Sequence, residues 1–146
     1  MNKKFNFDKL EIKEIKLIAN NLLLGATITG RGVLWFTAQS IVLNDSPFYM
    51  ALHNVMPIWV WGLIVMITGG IFTSSAFHVT SMEVSLKYYW LSCFGGVSSS
   101  VFYFFMLVAS LNNNLNWLTP FNFLILTVWT GVIGFVSGAE IYARRK

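Results

Sequence analysis

Charge is what this sequence has least of. Only 11% of its 146 residues are Asp, Glu, Lys or Arg, against roughly 25% in an ordinary soluble domain, too few to clothe a water-facing surface. Cysteine occurs once, at Cys93, which excludes a disulfide within the chain and any thiolate metal cluster. Histidine occurs only at His53 and His78, and the six acidic residues, Asp8, Glu11, Glu14, Asp45, Glu83 and Glu140, fall outside or at the edges of the apolar stretches. A hydrolytic constellation, a zinc site or a paired-carboxylate proton relay needs titratable groups that converge. The sequence offers no such set, so no enzyme activity, metal or cofactor is expected.

What the chain has instead is hydrophobic length. Four apolar stretches, residues 17–43, 57–77, 88–111 and 117–139, each reach the roughly 20 residues that a membrane-spanning helix needs. The expected fold is therefore all-α, an integral membrane four-helix bundle over residues 17–139 with short loops. The first stretch is read as an uncleaved span, because a mixed polar segment precedes it and no small-residue cleavage site follows it. Lys and Arg set the expected orientation. They occupy the head, residues 1–16 (Lys3, Lys4, Lys9, Lys13, Lys16), the tail, residues 140–146 (Arg144, Arg145, Lys146), and Lys87 between the second and third stretches, and are missing from residues 44–56 and 112–116. Four spans with both termini in the cytoplasm satisfy all of these positions. Basic residues that flank apolar stretches read as topology and membrane-lipid contact, and nucleic acid is not an expected partner.

The connections carry turn chemistry. Asn44, Asp45, Ser46 and Pro47 form a turn and a helix start, after which residues 48–55 suit a short interfacial helix, with Pro57 opening the second span. Asn112, Asn113 and Asn114 read as a polar turn. Trp59, Trp61, Trp90 and Trp117 fall near span ends, where an aromatic belt belongs. Small residues recur four apart within the spans: Ala26 and Gly30; Gly70 and Ser74; Ser92, Gly96 and Ser100; Thr130, Gly134 and Gly138. Such stripes let helix backbones approach closely, within one chain or between copies in a homo-oligomer.

Arg31 stands in the middle of the first apolar stretch. An unpaired arginine at the centre of a membrane helix costs about 3 kcal/mol on insertion scales and more in simulations, so it calls for a partner. It is open to three readings. It can snorkel to a headgroup; it can be held by Asn20, Asn21, Thr27, Gln39, a carbonyl or the ring of Trp35; or it can line a water-filled or anion-accessible cavity.

The layout resembles uncharacterised small four-span membrane proteins of bacteriophages and prophages, often described as holin-like. The shared features are the short basic head, the arginine in the first span, the segment from Ala51 and Leu52 to Pro57, Ile58, Trp59, Val60, Trp61 and Gly62, the Thr119-Pro120 start of the last span, and Tyr142 followed by a basic end. The resemblance implies residence in a bacterial cytoplasmic membrane and action by assembly, with holin-like permeabilisation as its outcome. Two alternatives stand beside it. One is a non-enzymatic anchor or superinfection-exclusion protein with a phage or host partner. The other is a small anion channel with Arg31 in its pathway.

Overall fold

The structure, a computed structural model, describes residues 12–79, 85–113 and 116–146. Lys3, Lys4 and Lys9 of the head, Glu83 and Asn114 lie outside the described residues. Helix dominates: α1 (Ile12–Thr37), α2 (Gln39–Asp45), α3 (Pro47–Val55), α4 (Ile58–Ser75) continued by a 3₁₀ turn (Ala76–His78), α5 (Leu86–Asn113) and α6 (Leu118–Ala143). Four of these, α1, α4 with its 3₁₀ turn, α5 and α6, are long and apolar enough to cross a membrane. Lipid offers no water to backbone groups, so helices that satisfy their own N–H and C=O groups are the form such stretches must take.

The apolar stretch 17–43 is not one helix. α1 begins five residues earlier, at Ile12, and stops at Thr37; Ala38 leaves helical geometry at φ −115° and ψ 40°, and α2 restarts beyond it. This break moves Arg31. It lies six residues, about 9 Å of helical rise, from the end of α1 rather than at its centre. Ser46 caps α3 by accepting a bond from the Phe48 N–H (3.3 Å), and Pro47 takes the first helical position, where no N–H is needed. Asn112 and Asn113 do not turn the chain. Their side chains donate to the Val108 and Ala109 carbonyls (3.3 and 3.0 Å) and extend α5 to Asn113.

Glycine contacts define how the long helices meet. A Cβ on Gly25 would fall within 2.9 Å of Thr73 backbone atoms, one on Gly32 against Gly62 and Met66, one on Gly62 against Phe36, and one on Gly69 against Thr29. As residue numbers rise along α1 they fall along α4, so the two helices are antiparallel, backbone to backbone. On α5, Gly95 meets Phe72 of α4, and Gly96 meets Thr130 and Gly134 of α6. The bundle thus runs up, down, up, down in the order α1, α4, α5, α6. The tightest seams are α1 with α4 and α5 with α6, joined by a looser α4 with α5 seam, whereas α1 and α6 scarcely touch.

Alternation brings the start of α1 and the end of α6 to the same end of the bundle. Arg144 lies over the Tyr89 ring (4.9 Å) and Arg145 over the Trp90 ring (5.3 Å), which ties the end of α6 to the start of α5. Lys13, Lys16, Lys87, Arg144, Arg145 and Lys146 therefore share one end. The opposite end, built by α2, α3 and the starts of α4 and α6, carries no Lys or Arg among the described residues.

Gly62→Ala should lower stability by about 1–3 kcal/mol, because the new methyl has only backbone to push against. Gly30→Ala, with nothing within 4 Å of its Cβ position, should stay within about 0.5 kcal/mol. Unfolding midpoints of the two variants in mild detergent check the contrast.

Candidate functional site around Arg31

Arg31 turns inward. It leaves α1 on the side facing α5 and α6, and its guanidinium carbon lies 5.2 Å from the centre of the Phe123 ring and 5.6 Å from that of Tyr103. Those rings stack on each other at 6.1 Å. A guanidinium over two aromatic faces, away from water, is held by cation–π attraction of about 2 kcal/mol or more. Trp35 is not its ring partner. Trp35 instead meets Tyr49 edge-on at 5.7 Å, one turn further along α1. Nor do Asn20, Asn21, Thr27 or Gln39 bond to it: Asn20 donates to Asn21 (3.2 Å), and Thr27 donates to the Leu23 carbonyl (2.8 Å).

Beyond the guanidinium, toward the end that lacks Lys and Arg, α3 closes the space. Phe48 packs on Phe123 at 5.5 Å and on Tyr49 at 4.8 Å, and is fully buried. Tyr49 lies outside the four long helices. Burial raises its hydroxyl pKa above the ordinary value, against a smaller lowering by the Arg31 charge, so the phenol stays protonated to higher pH than a free tyrosine. Arg31 is therefore cut off from the nearer end of the bundle by aromatic side chains.

Three buried polar atoms in this region make no hydrogen bond of good geometry: Arg31 Nη1, the Tyr103 hydroxyl and Ser99 Oγ, although Arg31 is close enough to Tyr103 to act on its hydroxyl both as a charge and as a donor. Tyr103 and Ser99 lie one turn apart on α5, each only 1% exposed. No carboxylate among the described residues pairs with Arg31. Unmet buried donors are uncommon, since each costs about 1–3 kcal/mol. All three atoms are closed off from the surface.

The open side of Arg31 is a cleft of about 400 Å³ between α1 and α6, lined by Asn20, Leu23, Leu24, Thr27 and Arg31 from one helix and by Asn122, Ile125, Leu126 and Trp129 from the other. It lies where α1 and α6 scarcely touch. Arg31 and Asn122 stand at one end, Asn20 at the other, and the stretch between is mostly aliphatic.

A second polar cluster lies nearer the basic end and is self-contained. The Asn21 amide donates to Ser75 Oγ (2.8 Å), Ser92 Oγ (2.9 Å) and the Tyr88 hydroxyl (3.3 Å), all buried. Two amide hydrogens shared among three hydroxyls make it a junction of α1, α4 and α5.

The remaining predicted positions divide. Gly96, Ser100, Gly134 and Gly138 lie along the α5–α6 seam, where Ser100 donates to the Thr127 carbonyl (2.8 Å) and a Cβ on Gly138 would meet only Cys93 Sγ, at 3.4 Å. Ala26, Gly30, Gly70 and Ser74 do not serve the α1–α4 seam; they line an open groove outside it, of about 720 Å³. Trp59, Trp90 and Trp117 are exposed. Trp61 instead packs inward, donating from Nε1 to the Leu52 carbonyl (3.2 Å) and meeting Phe102 edge-on at 5.6 Å. His53 Nδ1 accepts from the Ile58 N–H, and His78 Nδ1 lies 3.0 Å from the Ser74 carbonyl, at opposite ends of α4. Among the described residues no three His, Cys, Asp or Glu side chains converge. Sequence reasoning missed Tyr103, Phe123 and Ser99, because ring contacts between distant helices leave no local pattern. It also missed Gly25, Gly32, Gly62 and Gly69, whose signal was a spacing of seven rather than four.

No protein-family model, curated protein or solved structure matches the chain.

Asn21→Ala should lower stability by about 0.6–2 kcal/mol, the span measured for hydrogen bonds between membrane helices. Asn20→Ala, which gives up only the bond to Asn21, should lose far less. Paired unfolding measurements in detergent micelles separate the two.

Proposed function

We propose that this chain is a non-enzymatic, multi-pass protein of a bacterial cytoplasmic membrane, with both termini inside, that acts by self-assembly in the bilayer, of the bacteriophage type and with holin-like permeabilisation as its outcome. The observation that carries this reading is the groove of Ala26, Gly30, Gly70 and Ser74. A Cβ at Gly30 or Gly70 meets nothing within 4 Å, whereas the glycines of the α1–α4 seam are filled by a neighbouring helix. In lipid, association rests on close packing, and small residues are where a helix of another copy can approach. The orientation is supported by the shared end of Lys13, Lys16, Lys87, Arg144, Arg145 and Lys146, since cytoplasmic flanks hold the excess of Lys and Arg.

A non-lytic membrane anchor with a phage or host partner would use the same groove for a different helix. The test distinguishes them. In a Cys93→Ser background, Gly30→Cys should cross-link between copies in native membranes, and induced expression of the wild type should collapse the membrane potential. Gly30→Leu with Gly70→Leu should abolish both effects while leaving helix content unchanged. Absence of any cross-link between copies rejects self-assembly, and cross-linking with an intact potential favours the anchor.

A further inference from the structure

The α1–α6 cleft has the shape and polarity of a site for an amphiphile. From Asn20 to Arg31 it follows eleven residues of α1, about 16 Å of rise, and its middle is aliphatic: Leu23 and Leu24 on one wall, Ile125 and Leu126 on the other. At one end Arg31 lines the cleft beside Asn122, whose side-chain amide is a second donor on the wall. On its inner side the guanidinium rests against the Tyr103 ring, whose centre is 5.6 Å from its carbon, with Nη1 closed off from the surface. The cleft opens sideways, because α1 and α6 leave that flank unpacked, and Phe48 and Phe123 block the route toward the end lacking Lys and Arg. A free anion arriving through water would have to cross hydrocarbon to enter by that flank. A lipid already lies alongside it.

From this geometry we infer that the cleft binds one phospholipid, with its phosphate on Arg31 and Asn122 and one acyl chain along Leu23, Leu24, Ile125 and Leu126. Charge complementarity decides the headgroup. Arg31 has no carboxylate partner among the described residues, and a phosphate accepts the two parallel bonds that a guanidinium offers. The lipid comes from the leaflet at the end that lacks Lys and Arg. Phe36, paired edge-on with Trp59 at 6.5 Å, marks the aromatic level there, and Arg31 lies five residues, about 7.5 Å of rise, beneath it. Bound phosphate is therefore drawn below the aromatic level, and the leaflet thins locally. Such thinning is one of the ways a bilayer accommodates a deep arginine. The site belongs to a single copy and does not depend on self-assembly.

Native mass spectrometry of the full chain, released from phosphatidylglycerol nanodiscs, tests this directly. The wild type should retain one phospholipid per chain under delipidating activation. Arg31→Ala should retain it at least tenfold less, and Arg31→Lys should fall between. Ile125→Trp fills the cleft while leaving Arg31 in place, and it too should lose the lipid, so the test stands even if Arg31→Ala fails to fold. Millimolar inorganic phosphate should not displace the lipid. Retention by Ile125→Trp equal to wild type, or by folded Arg31→Ala equal to wild type, overturns the proposal. Displacement by inorganic phosphate also overturns it, in favour of a free-anion site.

Discussion

Everything in this bundle follows from backbone contact between helices. In lipid, burying a leucine gains little over leaving it against acyl chains, so helices hold together where their backbones come close enough for dispersion to add up. Gly25, Gly32, Gly62 and Gly69 bring α1 and α4 to that distance, and Gly96 and Gly134 do the same for α5 and α6. Two tight hairpin-like pairs result. They join through α4 and α5, where Gly95 admits Phe72 and Asn21 bridges Ser75 to Ser92. With both of its neighbours' close faces already used, the α1–α6 side stays open.

That opening gives Arg31 its setting. No carboxylate among the described residues meets the charge; it rests on the Tyr103 and Phe123 rings, and Arg31 also lines the cleft. Aromatic faces lower the cost of a desolvated guanidinium without neutralising it. The arrangement therefore keeps a net positive charge within the membrane layer while leaving it able to meet an anionic group. The Asn21 cluster shows the contrast. Its amide and hydroxyls satisfy one another, so it holds helices in register and offers nothing to a ligand.

The four long helices were legible in the sequence because hydropathy and length report on a membrane directly, and the short helix α3 because Ser46 and Pro47 are a local start signal. The break at Ala38 was not, although Gln39 and Ser40 follow it directly, because the apolar run resumes at Ile41 and conceals the interruption. Arg31 stood out as a charge, but its partners lie 72 and 92 positions away, and only the fold brings them to it. The four-residue stripes were real small-residue patterns, yet in α1 and α4 the buried seam uses the seven-residue set. Periodicity shows which residues share a face; it does not show which face meets a neighbour.

A double-mutant cycle between Arg31 and Tyr103 asks most directly whether the arginine lies where this structure puts it. Arg31→Met, Tyr103→Leu and the double variant, unfolded reversibly in the same detergent, should give a coupling of about 0.5–2 kcal/mol. Additive losses, with no coupling beyond error, would mean that Arg31 does not rest on the Tyr103 ring, and the inward-facing arginine would have to be abandoned.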